Sequence, residues 1–158
     1  MLNLPPSGLD RHWIATRIPH AGRMCLLDGV LDWSAGHVLC RADNHRAPEH
    51  PLRQFGRLGA ACGVEYAAQA IAVHGALCAA EPGAARPGML VSARGLTLYV
   101  ARLDDVAQPL EVRADRLGAG SDMLMYTFSV RAAGRLLLDG RASILLGRAP
   151  DPLESVAP

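Results

Sequence analysis

The pattern of apolar and polar residues divides the chain into one long helix and several strands. Between Leu58 and Ala80 the residues are mostly apolar and rich in alanine, and Pro82-Gly83 ends the run. Alanine favours a helix, and proline followed by glycine stops one. Because apolar residues occupy most of the circumference of this helix, we expect it to be buried on several sides.

The other apolar runs have the period of strands. The opening segment, Ile18 to Leu31, contains Pro19 and Gly22, which favour a turn or one helical turn, and its apolar end could begin a strand. Asn44 to Gln54 is polar and interrupted by prolines, which indicates a loop. Strands are predicted at His37–Arg41, Met89–Ala101, Leu110–Asp115, Met123–Ala132 and Arg135–Gly147. One long helix followed by antiparallel strands predicts an α+β fold, with the sheet curled around the helix.

The length and composition indicate one domain that binds no nucleic acid. The chain has 158 residues, so we expect a single domain over 1–158, with a core at 18–147 and a flexible tail at 148–158. A formal net charge of +1 and an aromatic content of 4% offer little to attract or stack nucleic acid. Lysine is absent from the sequence, which excludes Schiff-base chemistry.

The expected compartment is the cytoplasm, with no membrane span. Met1 to Arg17 lacks the apolar core of a signal peptide. The predicted helix carries Glu65, Gln69 and His74, and a membrane-spanning helix would rarely contain three such residues.

Neither the cysteines nor the histidines have the spacing of a metal site. No two cysteines form a C-x-x-C pair, and the six histidines show no paired spacing. We therefore expect reduced, buried thiols and no metal or other cofactor. The four cysteines are Cys25, Cys40, Cys62 and Cys78.

Glu65 is the residue of the helix that most needs an explanation. It stands beside Val64, Tyr66 and Ala67, and a carboxylate among apolar side chains is costly unless it is paired or protonated. Gln69 lies four positions later and shares its face. A carboxyl group that keeps its proton in such a place could act as a general acid near neutral pH. A helix edge that reaches solvent, or a structural hydrogen bond to a loop, would explain Glu65 equally well.

The loop before the helix offers a histidine as a partner for this carboxyl group. His50 stands beside Pro51, which stiffens its backbone, and an imidazole titrates near the working pH. Facing Glu65, it would complete an acid/base pair. His45 is the competing candidate, five residues earlier in the same loop, and either one could instead be an ordinary solvated histidine.

Two glycines mark the start of the helix. Gly59 and Gly63 would let a substrate carbonyl approach backbone amides, where the helix dipole favours negative charge, although close packing would require glycine equally. His74 lies nine positions after Glu65, which places it on the opposite face of the helix. We therefore expect His74 to be a packed or surface histidine outside the site.

Several segments resemble the hotdog-fold β-hydroxyacyl-acyl-carrier-protein dehydratases. Residues 18–28, Ile-Pro-His-Ala-Gly-Arg-Met-Cys-Leu-Leu-Asp, resemble the family's opening L-P-H-R-x-P-x-L-L-x-D, and residues 109–112 fall where the family has P-G-D-x-L. Residues 65–70, Glu-Tyr-Ala-Ala-Gln-Ala, resemble its helix motif E-A-M-A-Q-A. The most similar subgroup is the dehydratase-like proteins encoded with aryl-polyene pigment synthases, whose H-P-L and G-I-E-Y-x-A-Q-A resemble residues 50–52 and 63–70.

The resemblance implies a hotdog fold and a dimer in which His50 of one subunit faces Glu65 of the other. His50 would remove the α-proton of a 3-hydroxyacyl thioester carried by an acyl carrier protein or by CoA. Glu65 would protonate the departing hydroxyl group. Amides near Gly59 and Gly63, together with Gln69, would bind the substrate.

The sequence leaves two other functions open. The family's G-H-F-P-G is replaced around His50, and the interval from His50 to Glu65 is 65 − 50 = 15, one residue longer than usual in the family. These departures would suit a non-catalytic or accessory hotdog subunit of a heterodimer. An acyl thioesterase, in which Glu65 activates water, is the third hypothesis. For the dehydratase, Arg53 or Arg57 could steer an acidic carrier protein to the site.

Overall fold

The computed structural model describes residues 8–20, 22–79 and 86–148. Two α-helices, two short 3₁₀-helices and six strands lie within these residues. The helices are α1 (Arg11–Ala15) and α2 (Gly63–Cys78), and the 3₁₀-helices are Gly22–Met24 and Ala60–Cys62. The strands are β1 (Gly29–Trp33), β2 (His37–Ala42), β3 (Gly88–Leu98), β4 (Leu110–Ala119), β5 (Met123–Ala132) and β6 (Arg135–Leu146).

The six strands form one antiparallel sheet against which α2 lies. Their order is β1-β2-β4-β5-β6-β3, and each neighbouring pair is antiparallel. The helix α2 contacts β2, β4 and β5 at the centre of the sheet. The predicted α+β architecture, with one long helix against an antiparallel sheet, is therefore confirmed.

The strands β4, β5 and β6 form the predicted meander. Side chains alternate between the helix side and the outer side, so that Leu110, Val112 and Ala114 of β4 are fully buried. The turn between β5 and β6 contains Ala133 and Gly134, both with positive φ, which suits a tight hairpin. The structure extends β4 to Ala119, past the predicted end at Asp115.

The start of the long helix differs from the prediction. Leu58 and Ala60 pair with the chain after β3 instead of joining α2: the amide of Leu103 donates to the carbonyl of Leu58 (2.8 Å), and the amide of Ala60 to the carbonyl of Ala101 (3.1 Å). A short 3₁₀-helix follows, and α2 begins at Gly63. The helix therefore begins five residues after the predicted position because these backbone groups already have partners. The predicted end at Ala80 lies outside the described residues.

One face of α2 is not covered by the sheet. Buried residues such as Tyr66, Ala70 and Val73 confirm that the helix is buried on several sides. Glu65, Ala68 and Ala72 are only partly buried. These residues are three or four positions apart, so they share one face, and this face carries the residue singled out in the sequence.

The chain before β1 packs over α2. The helix α1 was not predicted from the sequence. It begins after Asp10, whose carboxylate accepts a hydrogen bond from the amide of Trp13 (3.0 Å). Its Ile14 is fully buried. The turn expected within the opening segment is the 3₁₀-helix Gly22–Met24, and the strand expected after it is β1.

The four cysteines are free, but two of them are not buried. Cys25 and Cys40 are buried as predicted, whereas Cys62 is partly buried and Cys78 is exposed. The prediction is wrong for Cys78 because it ends α2, beyond the buried part of the helix.

No helix in the described part of the chain is long and apolar enough to cross a membrane. Apart from Arg148, the predicted tail lies outside the described residues.

Candidate active site

Glu65 lies on the partly uncovered face of α2. Its side chain is 33% exposed, so the dry surroundings expected from the sequence are not present within a single chain. Tyr66 is buried and points away from this face, because successive helical residues are rotated by about 100°, and Val64 is itself only partly buried. The neighbours along the sequence therefore do not enclose the carboxyl group.

Two side-chain nitrogens lie close to the same oxygen of Glu65. The amide nitrogen of Gln69 donates a hydrogen bond to Oε1 (3.3 Å), which confirms that the two residues share one face of the helix. The Nε2 atom of His20 lies 3.1 Å from Oε1. The sequence places His20 only in the opening motif, and its position beside Glu65 was not predicted. One sequence signal could have suggested this position. The opening motif, which contains a histidine, and the helix motif, which contains the carboxylate, occur together in one family.

Gln69 attaches the opening segment to α2. Its side chain is fully buried, its Oε1 accepts the amide hydrogen of Leu26 (2.9 Å), and its Nε2 donates to the carbonyl of Met24 (2.6 Å). Arg11 adds a second attachment by donating to the carbonyl of Cys25 (2.6 Å). These contacts fix the segment that carries His20, so Gln69 supports the site rather than simply lining it.

His50 is held by partners on both ring nitrogens. The amide of Leu52 donates to Nδ1 (3.1 Å), and Nε2 lies 2.9 Å from the hydroxyl of Tyr66. That hydroxyl donates in turn to Oδ1 of Asn44 (2.6 Å). Because Nδ1 accepts, we assign the proton of the neutral ring to Nε2, which donates to the Tyr66 oxygen.

Burial keeps His50 and Tyr66 uncharged at neutral pH. Burial lowers the pKa of His50, and the nearby charges of Arg53 and His45 lower it further. Burial also raises the pKa of Tyr66. No polar contact within the described chain joins His50 to Glu65, so a single subunit does not bring the two predicted catalytic residues together.

The other histidines considered in the sequence have structural partners. His45 is fully buried, and its Nε2 donates to the carbonyl of Val106 (2.8 Å). His74 is also fully buried, with Nε2 donating to the carbonyl of Ser34 (2.8 Å) and Nδ1 at 2.8 Å from the hydroxyl of Tyr126. The prediction that His74 packs away from Glu65 is confirmed.

The two glycines before and at the helix start differ in their surroundings. The amide of Gly63 donates to the carbonyls of Ala60 and Ala61, and a Cβ added to Gly63 would lie 2.5 Å from the side chain of Leu138. Close packing therefore accounts for Gly63, and its amide is already bonded. Nothing lies within 4 Å of a Cβ added to Gly59, which stays a candidate for substrate binding.

A buried carboxylate braces the loop between His50 and α2. Asp104, whose side chain is 4% exposed, is bonded by Arg102 and Arg53 and accepts the amide hydrogen of Leu58 (3.0 Å). The bond from Arg102 lowers the pKa of Asp104 well below its usual range. Arg53 also donates to the carbonyl of Gly56 (2.8 Å), so it stabilises the loop from within. Arg57 remains exposed.

The braced loop ends in a tight turn that presents an aromatic side chain. The amides and carbonyls of Gln54 and Arg57 bond each other across the turn at 3.0 and 3.1 Å. Phe55 and Gly56, at the tip, both have positive φ, of 52° and 75°. The side chain of Phe55 is 99% exposed, so the chain holds an aromatic residue in a costly backbone conformation without packing it.

A pocket of the single chain lies away from the predicted site. It has a volume of about 500 Å³, lies between residues 100–108 and the turn between β5 and β6, and is lined by none of the residues predicted for the site. In the residues that the structure describes, no group of three or more histidine, cysteine, aspartate or glutamate side chains could hold a metal ion.

Comparison with known proteins identifies the family. A sequence model of the ApeP-like family, described as ApeP dehydratase, matches residues 12–154. The chain belongs to this family. The match confirms the resemblance to the dehydratase-like proteins of the aryl-polyene group. No curated protein matches the sequence.

Solved structures similar to this chain confirm the hotdog fold. The dehydratase heterocomplex ApeI:P from Xenorhabdus doucetiae is 23% identical, with a TM-score of 0.70 over 90% of this chain and 94% of that chain. Zebra fish thioesterase superfamily member 2 is 18% identical, with a TM-score of 0.59 over 89% of this chain and 100% of that chain. A hypothetical thioesterase with coenzyme A from Streptococcus pneumoniae is 11% identical, with a TM-score of 0.57 over 77% and 87%. At these identities the likeness concerns the fold.

Proposed function

We propose that this dehydratase-family chain acts on 3-hydroxyacyl thioesters, with Glu65 as the general acid and His50 as the base. His50 takes the proton from the α-carbon, and the C–H electron pair forms the new double bond. The bond to the 3-hydroxyl group breaks, and Glu65 gives its proton to the departing oxygen, so that water and an enoyl thioester are formed. Acyl carrier protein or CoA would carry the substrate.

The arrangement around Glu65 carries this proposal. One carboxyl oxygen accepts a hydrogen bond from Gln69 and lies 3.1 Å from Nε2 of His20, and the side chain lies on the uncovered face of α2. A general acid needs a defined orientation and access to the leaving group. The contacts of Glu65 within the chain define its orientation. Its exposed side gives access to the leaving group, because a substrate and a partner could approach there.

The proposal requires a second hotdog subunit. Within one chain no hydrogen bond or ion pair joins Glu65 to His50, and the side chain of Glu65 is 33% exposed, so a partner would supply the facing wall and the opposite imidazole. The strand β3 is an edge of the sheet, and unpaired strand edges with exposed apolar residues associate readily. Its exposed apolar residues are Met89, Val91, Leu96 and Leu98.

The partner could be a second copy or a different hotdog chain. The similar ApeI:P structure is a heterocomplex, which favours a different chain. The surface turn with Phe55 is a further candidate for contact, because its exposed aromatic ring has the character of an interface anchor. Arg57, which is exposed beside it, is placed to attract an acidic carrier protein.

An accessory role is the second candidate, and the environment of His50 favours it. A base that removes an α-proton needs a free lone pair, whereas the Leu52 amide occupies Nδ1 and the Tyr66 hydroxyl meets Nε2. To act as the base, the ring of His50 must move its proton to Nδ1 and break the bond from Leu52. If it does not, the base would come from the partner subunit. No contact of Glu65 favours the third hypothesis, a thioesterase.

The test is a dehydration assay of the chain alone and together with a second, different hotdog subunit. The dehydratase hypothesis predicts that a 3-hydroxyacyl thioester gains enoyl absorbance, and that Glu65→Gln and His50→Gln each reduce the rate by at least about 100-fold. Glu111→Gln, on β4, is the matched control. A pair whose activity survives both substitutions would be a dehydratase in which this chain is accessory. Thiol release from a thioester without a 3-hydroxyl group would support the thioesterase.

A further inference from the structure

We propose that His20 is a positioning residue that decides which oxygen of Glu65 carries the reactive proton. The inference rests on the proposed role of Glu65 as the acid. In this arrangement the ring of His20 is uncharged, with its proton on Nε2, and donates a hydrogen bond to Oε1. The proton given to the leaving group is then carried by Oε2.

The first observation is that the two donors converge on one oxygen. His20 Nε2 and Gln69 Nε2 lie 3.1 and 3.3 Å from Oε1 of Glu65. An oxygen approached by two donor nitrogens is the acceptor end of the carboxyl group, so the proton of the neutral acid belongs on the other oxygen. The convergence therefore orients the O–H group, as well as the side chain.

The second observation concerns the other nitrogen of His20. Its Nδ1 atom is shielded from solvent and has no hydrogen-bond partner among the described residues. A charged imidazolium ring would carry a proton there and bury it without an acceptor, which is unfavourable. The neutral ring with its proton on Nε2 avoids this cost. Glu65 is the titratable group in contact with His20, and Gln69, the other polar group at this point, carries no charge.

Whether the ring of His20 is neutral or charged matters for the reaction. If His20 were charged, it would form an ion pair with a Glu65 carboxylate, and Glu65 would have no proton to give. A neutral His20 allows Glu65 to hold its proton and still fixes its direction. Gln69 supports this arrangement indirectly, because it ties Met24 and Leu26 to α2 and so holds the segment that carries His20.

The direct test is the protonation pattern of His20 in the full-length protein. Long-range ¹H–¹⁵N spectra at pH 7 distinguish an imidazole nitrogen with a proton from one with a lone pair. We expect His20 to show a lone pair on Nδ1 and a proton on Nε2. Protons on both nitrogens at pH 7 would overturn the proposal. This experiment needs no turnover, so it decides the state of His20 even if the proposed dehydration fails.

Kinetics of the active pair separate positioning from general structural support. The side-chain nitrogen of glutamine reaches the place of Nε2, whereas that of asparagine reaches the place of Nδ1. We expect His20→Ala and His20→Asn to lower kcat by about 10- to 100-fold with little change in KM, and His20→Gln to restore most of the rate. His12→Gln, at an exposed histidine of α1, is the control. Equal loss in the glutamine and alanine variants, or no loss in any variant, would overturn the proposal.

Discussion

Replacing Gln69 with leucine tests how the opening segment is held over the helix. Gln69→Leu keeps a side chain of similar size but removes both ends of the amide. The buried amide of Leu26 then has no acceptor, and the carbonyl of Met24 loses its donor. The perturbation therefore affects one fully buried and one partly exposed backbone group.

The expected magnitude follows from the burial of these two groups. An unsatisfied buried donor costs about 1–3 kcal/mol, and this applies to the amide of Leu26. Met24 is at the surface, so water can replace Gln69 at its carbonyl and the added cost is small. We expect Gln69→Leu to lower the free energy of unfolding by about 2–3 kcal/mol. Gln108→Leu, at an exposed glutamine, should change it by no more than about 0.5 kcal/mol.

Urea unfolding at pH 7 measures this difference, and amide hydrogen exchange locates it. The amide of Leu26 should exchange faster in Gln69→Leu, whereas amides in the meander β4 to β6 should change only with global stability. A loss below about 0.5 kcal/mol with the Leu26 amide still protected would refute the reasoning. The opening segment would then be held by contacts other than Gln69.

Three further predictions concern the loop and the turns. The pKa of His50 in the folded chain lies below its ordinary 6.5. As the pH falls, His50 therefore binds a proton in the unfolded chain before it does so in the folded chain, and stability falls as the pH drops below 6.5. Urea unfolding at pH 7.5 and 5.5 should show a weaker fall in His50→Gln, with a remainder from His74, and an unchanged pH dependence would contradict this. Phe55→Gly should stabilise the isolated chain by about 0.5–1 kcal/mol, because glycine adopts a positive φ without strain. Ala133→Gly, at the matched positive φ, should have the same effect. A loss of stability in Phe55→Gly alone would show that the ring packs within the chain. Asp104→Asn should lower the free energy of unfolding, measured in urea, by about 2 kcal/mol, because Arg53 and Arg102 lose a charged acceptor. An unchanged free energy of unfolding would show that Asp104 does not stabilise the loop.

The sequence was sufficient to predict the architecture because the patterns of its elements are strong. The alternation in β4 and the alanine-rich run of α2 each determine one type of secondary structure. The start of α2 could not be predicted in the same way. Leu58 and Ala60 have ordinary helical character, and only their pairing with residues 101–103, more than 40 positions away, removes them from the helix.

The site was predictable in part for a similar reason. The contact between Glu65 and Gln69 follows from helical spacing, so a sequence reveals it. His20 reaches Glu65 across 45 positions and depends on the tertiary contacts of Gln69, which no local pattern records. The exposure of Glu65 was also misjudged, because neighbours along a helix do not determine which face the sheet covers.

In the proposed reaction, Glu65 supplies the proton that leaves with the hydroxyl group, in a site completed by a second subunit. Enoyl absorbance from a 3-hydroxyacyl thioester, measured for the assembled pair with wild-type chain and with Glu65→Gln, tests it most directly. We expect turnover to fall by at least about 100-fold in Glu65→Gln while the pair still assembles. Full activity in an assembled pair that carries Glu65→Gln would contradict it.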